Sequence, residues 1–460
     1  MMVQDAIVVG GGVAGLAAAA ALGQAGLKVM LLERRPYIGG RAYSYLHPAL
    51  EETIDSQHVL LGCCTNLIDL CSQAGMTDQV RWYDELVFLE PGGRRSLMRP
   101  GRLPAPLHQT ASFLRAPMLT LRDKAGIATG LSQFLRGYPQ VDTESFSSWL
   151  RRTKQTDRAI RHFWEPVIVG ALNDGFDRCS VKYAGKVFHE TFLKSEQGGR
   201  LGIPAAPLSE FFAPVAELAR RNNVNLQPRS GVQSLFSDEQ GNWIVDTGIA
   251  SYRTANVVLA TDFKQTAKLT ANLGGSQSSL DGAVQHLVPS PITTVHLWYD
   301  RQVTALDHAV LLDTRIQWMF AKSRIRRWPE ERGSYLELVI SASWAELTQS
   351  REEIIHAALG EVELFFPDVR QAKLVKSGVL KEARATFSVT PGLDRFRPSQ
   401  KTRWPGLYLA GDWTATEWPS TMEGAVRSGR LAAGEVLNDR ALFLAEETPA
   451  SGLMRWLSQS

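Results

Sequence analysis

Three glycines in the pattern Gly10-x-Gly12-x-x-Gly15 separate an apolar run, residues 6–9, from an alanine-rich run, residues 16–22. Between a strand and a helix, such glycines let the backbone turn tightly and set the helix N-terminus against a pyrophosphate. Glu33 closes the next apolar run, residues 29–32, and lies 21 residues after Gly12. There its carboxylate can accept hydrogen bonds from a ribose diol. Glycines alone would fit a plain turn between helix and sheet; with strand, helix and acid in register they predict dinucleotide binding.

Two further elements choose the dinucleotide. Gly39-Gly40-Arg41 lies six residues past Glu33, so amides and a guanidinium can reach the same phosphates or a ribityl chain. A loosely bound nicotinamide needs no second clasp. Near the far end, residues 407–410 form a short apolar run into Gly411-Asp412, and a helix begins near Thr421. Its positive end would favour a reduced, anionic flavin ring. Together the three elements predict FAD. The cofactor set is Gly10, Gly12, Ala14, Gly15, Glu33, Arg34, Gly39, Gly40, Arg41, Gly411, Asp412, Thr421 and Met422, with Val232 from the middle of the chain.

The elements that must position these residues read as strand, helix, strand at the start, the opening unit of a parallel sheet. Residues 231–235 and 243–247 read as a hairpin around Gly241-Asn242, and residues 255–260 as a strand. The fold class expected is α/β, a Rossmann-like FAD-binding domain carrying a discontinuous α+β substrate domain. The first comprises residues 1–75, 204–262 and 376–445, the second residues 76–203 and 263–375, and residues 446–460 form a C-terminal tail. Residues 107–138 and 145–173 have helical spacing with many aromatics, while residues 292–299 and 335–342 read as strands. Alternation sets Thr294, His296 and Trp298 on one face, able to line a cavity, and Val295, Leu297 and Tyr299 on the other. The basic residues 94–102 are expected in an exposed connection.

With 460 residues, 44% hydrophobic and 21% charged, the chain has the composition of a folded protein with large cores. Fifty Lys and Arg against 47 Asp and Glu leave +3, too little to predict a nucleic-acid partner. Cys63, Cys64, Cys71 and Cys179 form no C-x-x-C pair, so neither a metal site nor a disulfide framework is expected. The most apolar stretch, residues 15–32, is interrupted by Gln24, Gly26 and Lys28 and is not expected to span a membrane. With no export signal read at the start, a cytoplasmic protein is expected.

The chain resembles the amine oxidase and phytoene desaturase superfamily, and within it the squalene-associated FAD-dependent desaturases, or hydroxysqualene dehydroxylases. The likeness rests on Gln57-His58-Val59-Leu60-Leu61-Gly62-Cys63, Phe163-Trp164-Glu165-Pro166 with Ala171-Leu172-Asn173, and Gly199-Arg200-Leu201-Gly202-Ile203-Pro204 with Pro207-Leu208-Ser209. It extends to Ala410-Gly411-Asp412-Trp413-Thr414 with Trp418-Pro419-Ser420-Thr421-Met422-Glu423-Gly424-Ala425. Relatives carry a glycine just before the Gln-His pair; here Ser56 stands there.

The resemblance implies reductive removal of an allylic hydroxyl from hydroxysqualene, giving squalene and oxidised FAD, in bacterial hopanoid synthesis. The alternative is an isoprenoid desaturase or amine oxidase running oxidatively. An acid must protonate the leaving hydroxyl. His58 is the first candidate, Asp55 the second, whereas Glu423 is assigned to a helix start. Trp164, Trp298, Trp318 and Phe320 are candidates for sheltering a cation and the polyprenyl chains. No second G-x-G-x-x-G offers a nicotinamide site, so no electron donor is named. A polyprenyl substrate must come from a bilayer, which predicts peripheral attachment to the inner face of the cytoplasmic membrane. Residues 97–121, with Arg99, Arg102 and Arg115, and residues 453–457 are the candidate segments.

Overall fold

The computed structural model describes residues 2–273 and 279–457. Strand Met2–Val9 is buried on both faces from Ala6 onward, as a central strand of a covered parallel sheet must be. It pairs in parallel with Val29–Leu32 and with Ser251–Leu259. Val224–Gln227 extends the sheet on the Val29–Leu32 side, and Leu407–Leu409 joins Ser251–Leu259, again in parallel. The antiparallel pair Trp243–Asp246 and Ser234–Ser237 completes seven strands.

Helix Val13–Gln24 is mostly alanine and glycine and is buried over all but its last residue. Small side chains let its neighbour Met422–Val436 come to backbone contact: a Cβ on Gly429 would lie 2.2 Å from Ala14 O. Glu423, in the first turn of that neighbour, accepts the N–H groups of Asn66 (3.2 Å) and Leu67 (2.8 Å). It thereby caps helix Thr65–Gln73, which has no cap of its own. Glu423 lies in the first turn of its own helix, as expected, but the cap it supplies to a second helix was not expected.

The second sheet runs Leu374–Phe387, Pro289–Tyr299, Ser334–Ser341, Trp318–Ala321, His308–Leu311, Leu86–Leu89, Arg95–Met98. Alternation sorts its faces as the sequence predicts. Val295, Leu297 and Tyr299 pack with Leu336, Leu338 and Ile340 beneath helix Arg351–Phe365. The opposite face, with Thr294, His296 and Trp298, is turned to residues 50–61 and to strand Leu201–Pro204 of the small sheet below. A helical group completes this unit around a core of Phe134, Phe146, Trp149, Phe163, Trp164 and Phe188.

Three expectations are corrected. Leu374–Phe387 belongs to the second sheet, paired with Pro289–Tyr299 apart from a bulge at residues 383–385 and a register shift near Tyr299, so the last segment of the FAD unit starts after Phe387 rather than at 376. A strand this long needs a partner of similar length, which Pro289–Tyr299 supplies. Within the expected exposed connection, Arg95–Met98 is an edge strand with Ser96 and Met98 buried. The tail is not a separate piece: Met454 is fully buried in the main core and Leu453 N–H donates to Ala105 O at 2.8 Å.

Candidate functional site

Gly10 has φ +111°, and a Cβ there would lie 2.5 Å from Ala260 O; one on Gly15 would lie 1.9 Å from Gly10 O. No other residue fits either position. The helix that follows starts with neither a side-chain cap nor an acid in its first turn, which includes Ala14. Its leading N–H groups can therefore serve an anionic ligand. Glu33 Oε2 accepts the Gly11 N–H and Oε1 the Arg35 N–H, both at 2.7 Å. Ser230 N–H donates to Glu33 O at 2.8 Å, and a Cβ on Gly231 would stand 3.0 Å from Arg34 Cβ. Val232 and Arg34 thus flank the acid.

The second glycine pair closes over the first. Gly39 N–H donates to Gly11 O at 2.8 Å, Gly39 bridges Gly12, and Gly40 at φ +66° would put a Cβ 2.8 Å from Gly12 Cα. Arg41 then spans the molecule, Nη2 donating to Asp412 Oδ1 at 2.6 Å and Nη1 to Ala385 O at 2.7 Å. Asp412 Oδ2 takes the Ser420 hydroxyl, and Gly411 N–H donates to Ser428 Oγ at 2.7 Å. Thr421 caps helix Met422–Val436 through the Gly424 N–H at 3.1 Å. Arg397, unrecognised in the sequence, is buried behind this loop and donates to Asp412 O (2.8 Å) and Thr414 O (2.6 Å).

Across from the clasp, the second sheet carries a buried polar cluster. Lys322 Nζ donates to Asp55 Oδ1 at 2.9 Å and Gln57 Oε1 at 2.7 Å, and stands 3.0 Å from Glu337 Oε2. Glu337 Oε1 accepts the Gln57 N–H. Its Oε2 has no hydrogen bond, since Lys322 is close but poorly aligned. Burial and the nearby Asp55 carboxylate raise the Glu337 pKa against the pull of Lys322, so this acid holds its proton above the usual carboxylate range. In strand register Glu337 faces His296 on one side and Phe320 on the other. It marks a boundary: beyond it Phe320, Trp318 and Val339 form an apolar patch with Leu61, Leu201 and Ile203.

The structure gives the two expected acid candidates, His58 and Asp55, other surroundings. Burial would raise the Asp55 pKa, but Lys322 and Arg326 hold it at about 2. Asp55 is an ionised anchor, also accepting the Leu208 N–H at 2.9 Å. His58 bonds through Nδ1 to Ser56 O at 2.8 Å, and burial lowers its pKa. Since a carbonyl can only accept, Nδ1 carries the hydrogen and the neutral ring presents Nε2 as a base. Within this cluster Glu337 is the carboxyl group whose pKa is raised. It was missed because a single glutamate within residues 335–342 belongs to no local motif; its position on the face opposite Leu336, Leu338 and Ile340 was the available signal.

The aromatic candidates divide likewise. Trp318 and Phe320 stack with centroids 5.7 Å apart in the apolar patch. Trp298 lies on the other side of His296, stacked on Tyr335 at 4.4 Å. Trp164 is no wall residue: it is fully buried among Phe146, Trp149, Phe163 and Phe188, with Nε1 donating to Gln155 Oε1 at 2.8 Å. The helical core needed a large flat filler there.

A family model, flavin containing amine oxidoreductase, matches residues 13–437. The chain belongs to that family. It is 26% identical to the 15-cis-phytoene desaturase of Solanum lycopersicum over 461 aligned residues, covering 96% of this chain and 79% of that one. A probable zeta-carotene desaturase of Synechococcus elongatus is also 26% identical, with 95% and 99% covered. In fold it is similar to the crystal structure of an oxidoreductase from Methanosarcina mazei, with a TM-score of 0.72 at 17% identity and 95% and 100% covered.

This flavoprotein is an FAD-dependent oxidoreductase, and its cradle fits the cofactor. The glycine turn and uncapped helix suit a diphosphate, Glu33 a ribose, and Arg41, Asp412 and the helix opening at Met422 the flavin half. Glu33→Ala should weaken FAD by about 1.5–3 kcal/mol, roughly ten- to a hundredfold. Part of this loss comes from freeing the Gly11 and Arg35 N–H groups. Flavin fluorescence during titration of the apoprotein measures it; unchanged affinity would place the ribose elsewhere.

Proposed function

We propose that the enzyme removes an allylic hydroxyl from a polyprenyl alcohol of the hydroxysqualene type, forming squalene on a route to bacterial hopanoids. Reduced FAD supplies the hydride. The observation that supports this reading is the buried acid Glu337, whose Oε2 has an ion-pair contact with Lys322 but no well-aligned hydrogen bond, set at the edge of the apolar patch. A hydrocarbon chain lies against Trp318, Phe320, Leu201 and Ile203, while its hydroxyl comes to the polar boundary. The Glu337 proton would pass to the departing oxygen as the carbon–oxygen bond breaks and water leaves, with bound reduced FAD as the source of the hydride that would replace it. Lys322, 3.0 Å from Oε2, then faces the carboxylate just formed and stabilises it. Aromatic faces stabilise positive charge developing on the allylic carbon.

The second reading, oxidative desaturation of an isoprenoid hydrocarbon, is favoured by the similarity to phytoene and zeta-carotene desaturases. Such a substrate has no oxygen to receive a proton from Glu337. The two readings separate under anaerobic conditions. Photoreduced enzyme mixed with hydroxysqualene should regain the oxidised flavin spectrum and yield squalene, and oxidised enzyme should not bleach with squalene or phytoene. Bleaching by a hydrocarbon, with no reoxidation by the alcohol, would establish the desaturase instead.

A further inference from the structure

We propose that the loop of residues 99–107, the short helix Thr110–Arg115 and the C-terminal segment of residues 453–457 form a single surface that seats on an anionic lipid bilayer. The structure joins pieces far apart in sequence. Leu453 N–H donates to Ala105 O at 2.8 Å, and a Cβ on Gly452 would lie 2.7 Å from Ala105 and Pro104. Glu196 ties both from below, accepting the Ala105 N–H at 2.7 Å and the Ser451 hydroxyl. Ser112 Oγ donates to Arg99 O at 2.8 Å, which fixes the short helix to the same loop.

What this assembly turns outward is apolar and cationic together. Leu103, Leu107, Leu114, Leu453 and Trp456 are 46–80% exposed, while Leu119 and Met454, close to them in sequence, belong to the buried core. Exposed leucines in a folded protein need a covering when they gather in one place. Arg99, Arg102, Arg115 and Arg455 are exposed, and none forms an ion pair among the described residues. No acidic residue occurs in residues 91–122 or 448–457; against the four arginines stands one carboxylate, Glu196, occupied by the Ala105 N–H and the Ser451 hydroxyl, so the surface attracts anions. Leucine and tryptophan at headgroup depth, ringed by arginine, match an anionic lipid interface. No helix among the described residues is long and apolar enough to cross a membrane, so this contact is peripheral. The apolar patch lies near: a Cβ on Gly199, which leads into strand Leu201–Pro204, would be 3.8 Å from Gln109 Nε2 beside the loop.

Flotation of the full chain with phosphatidylcholine vesicles, with and without 30% phosphatidylglycerol, tests the surface without flavin or substrate, so its outcome is independent of the reaction proposed above. Binding should require the anionic lipid and fall at least tenfold when salt is raised from 50 to 300 mM. Leu107→Asp with Leu114→Asp, Leu453→Asp with Trp456→Asp, and Arg102→Glu with Arg115→Glu should each reduce it at least tenfold, whereas exposed Arg221→Glu on another face should leave it unchanged. In unaltered protein, bromine-labelled lipid should quench tryptophan emission, and the mild Trp456→Phe substitution should remove most of that quenching. No flotation with anionic vesicles overturns the proposal, as does sensitivity to only one of the two segments. A concentration-dependent dimer abolished by the same substitutions, without flotation, would assign the surface to a second copy and overturn it too.

Discussion

Glu337→Gln is expected to lower the rate of dehydroxylation by roughly 10²–10⁴, the usual contribution of a positioned general acid, with little change in KM or in flavin content. Glutamine keeps the shape and the acceptor for the Gln57 N–H but has no proton to give. The pH dependence carries the diagnostic sign. Because burial raises the Glu337 pKa, the protonated, active form persists above the ordinary carboxylate range, and kcat should fall as pH rises through the raised value. That limb should be missing from the residual activity of the variant. Stopped-flow reoxidation of the reduced flavin by the alcohol measures both; a variant reacting at the unaltered rate would show that another group delivers the proton.

The largest stability effect is expected at Lys322. Replacing it with Met leaves Asp55 and Glu337 buried without the ammonium between them, at a cost of about 3–5 kcal/mol for breaking a buried ion pair. Asp55→Asn should also destabilise, since Lys322 and Arg326 lose their ionised partner. The double variant should lose less than the sum, a coupling that denaturant titration of all four proteins measures. Strict additivity would mean that the two groups do not interact. With its folded pKa at about 2, below the ordinary ~3.9, Asp55 adds stability that is complete above pH ~4. This contribution disappears as pH falls toward 2.

How much of this was legible depended on whether chemistry coincided with sequence proximity. The cradle was readable because backbone geometry restricts residue type locally: Gly10 and Gly15 face carbonyl oxygens too near for any side chain, and Glu33 stands one strand away. Asp412 was readable from its position after a short strand, although its partner Arg41 lies 371 residues earlier. The acid of the second sheet was not. Asp55, Gln57, Lys322 and Glu337 come from three separate segments and are joined only by register and packing. Their separate contexts give histidine, with its convenient intrinsic pKa, undue prominence. Trp164 and Trp318 look alike in sequence; what separates them is whether neighbouring helices close around the ring, as Phe146, Phe188 and Gly130 do around Trp164. The edge of the FAD unit was misread for a related reason, since nothing within Leu374–Phe387 says which sheet will receive it.

The clasp between Arg41 and Asp412, with helix Val13–Gln24 laid against Met422–Val436, also sets a timetable for biosynthesis. A ribosome releases the first strand and its glycine turn well before the parallel strand Leu407–Leu409 and the helix that covers the alanine-rich one. At about 5–20 residues per second, the intervening chain takes tens of seconds to appear. During that interval the first helix has an uncovered apolar flank and the cofactor cradle lacks its second wall. Complete enclosure of FAD therefore waits until residues 407–436 have emerged, and chains terminated before them lack the second wall of the cradle.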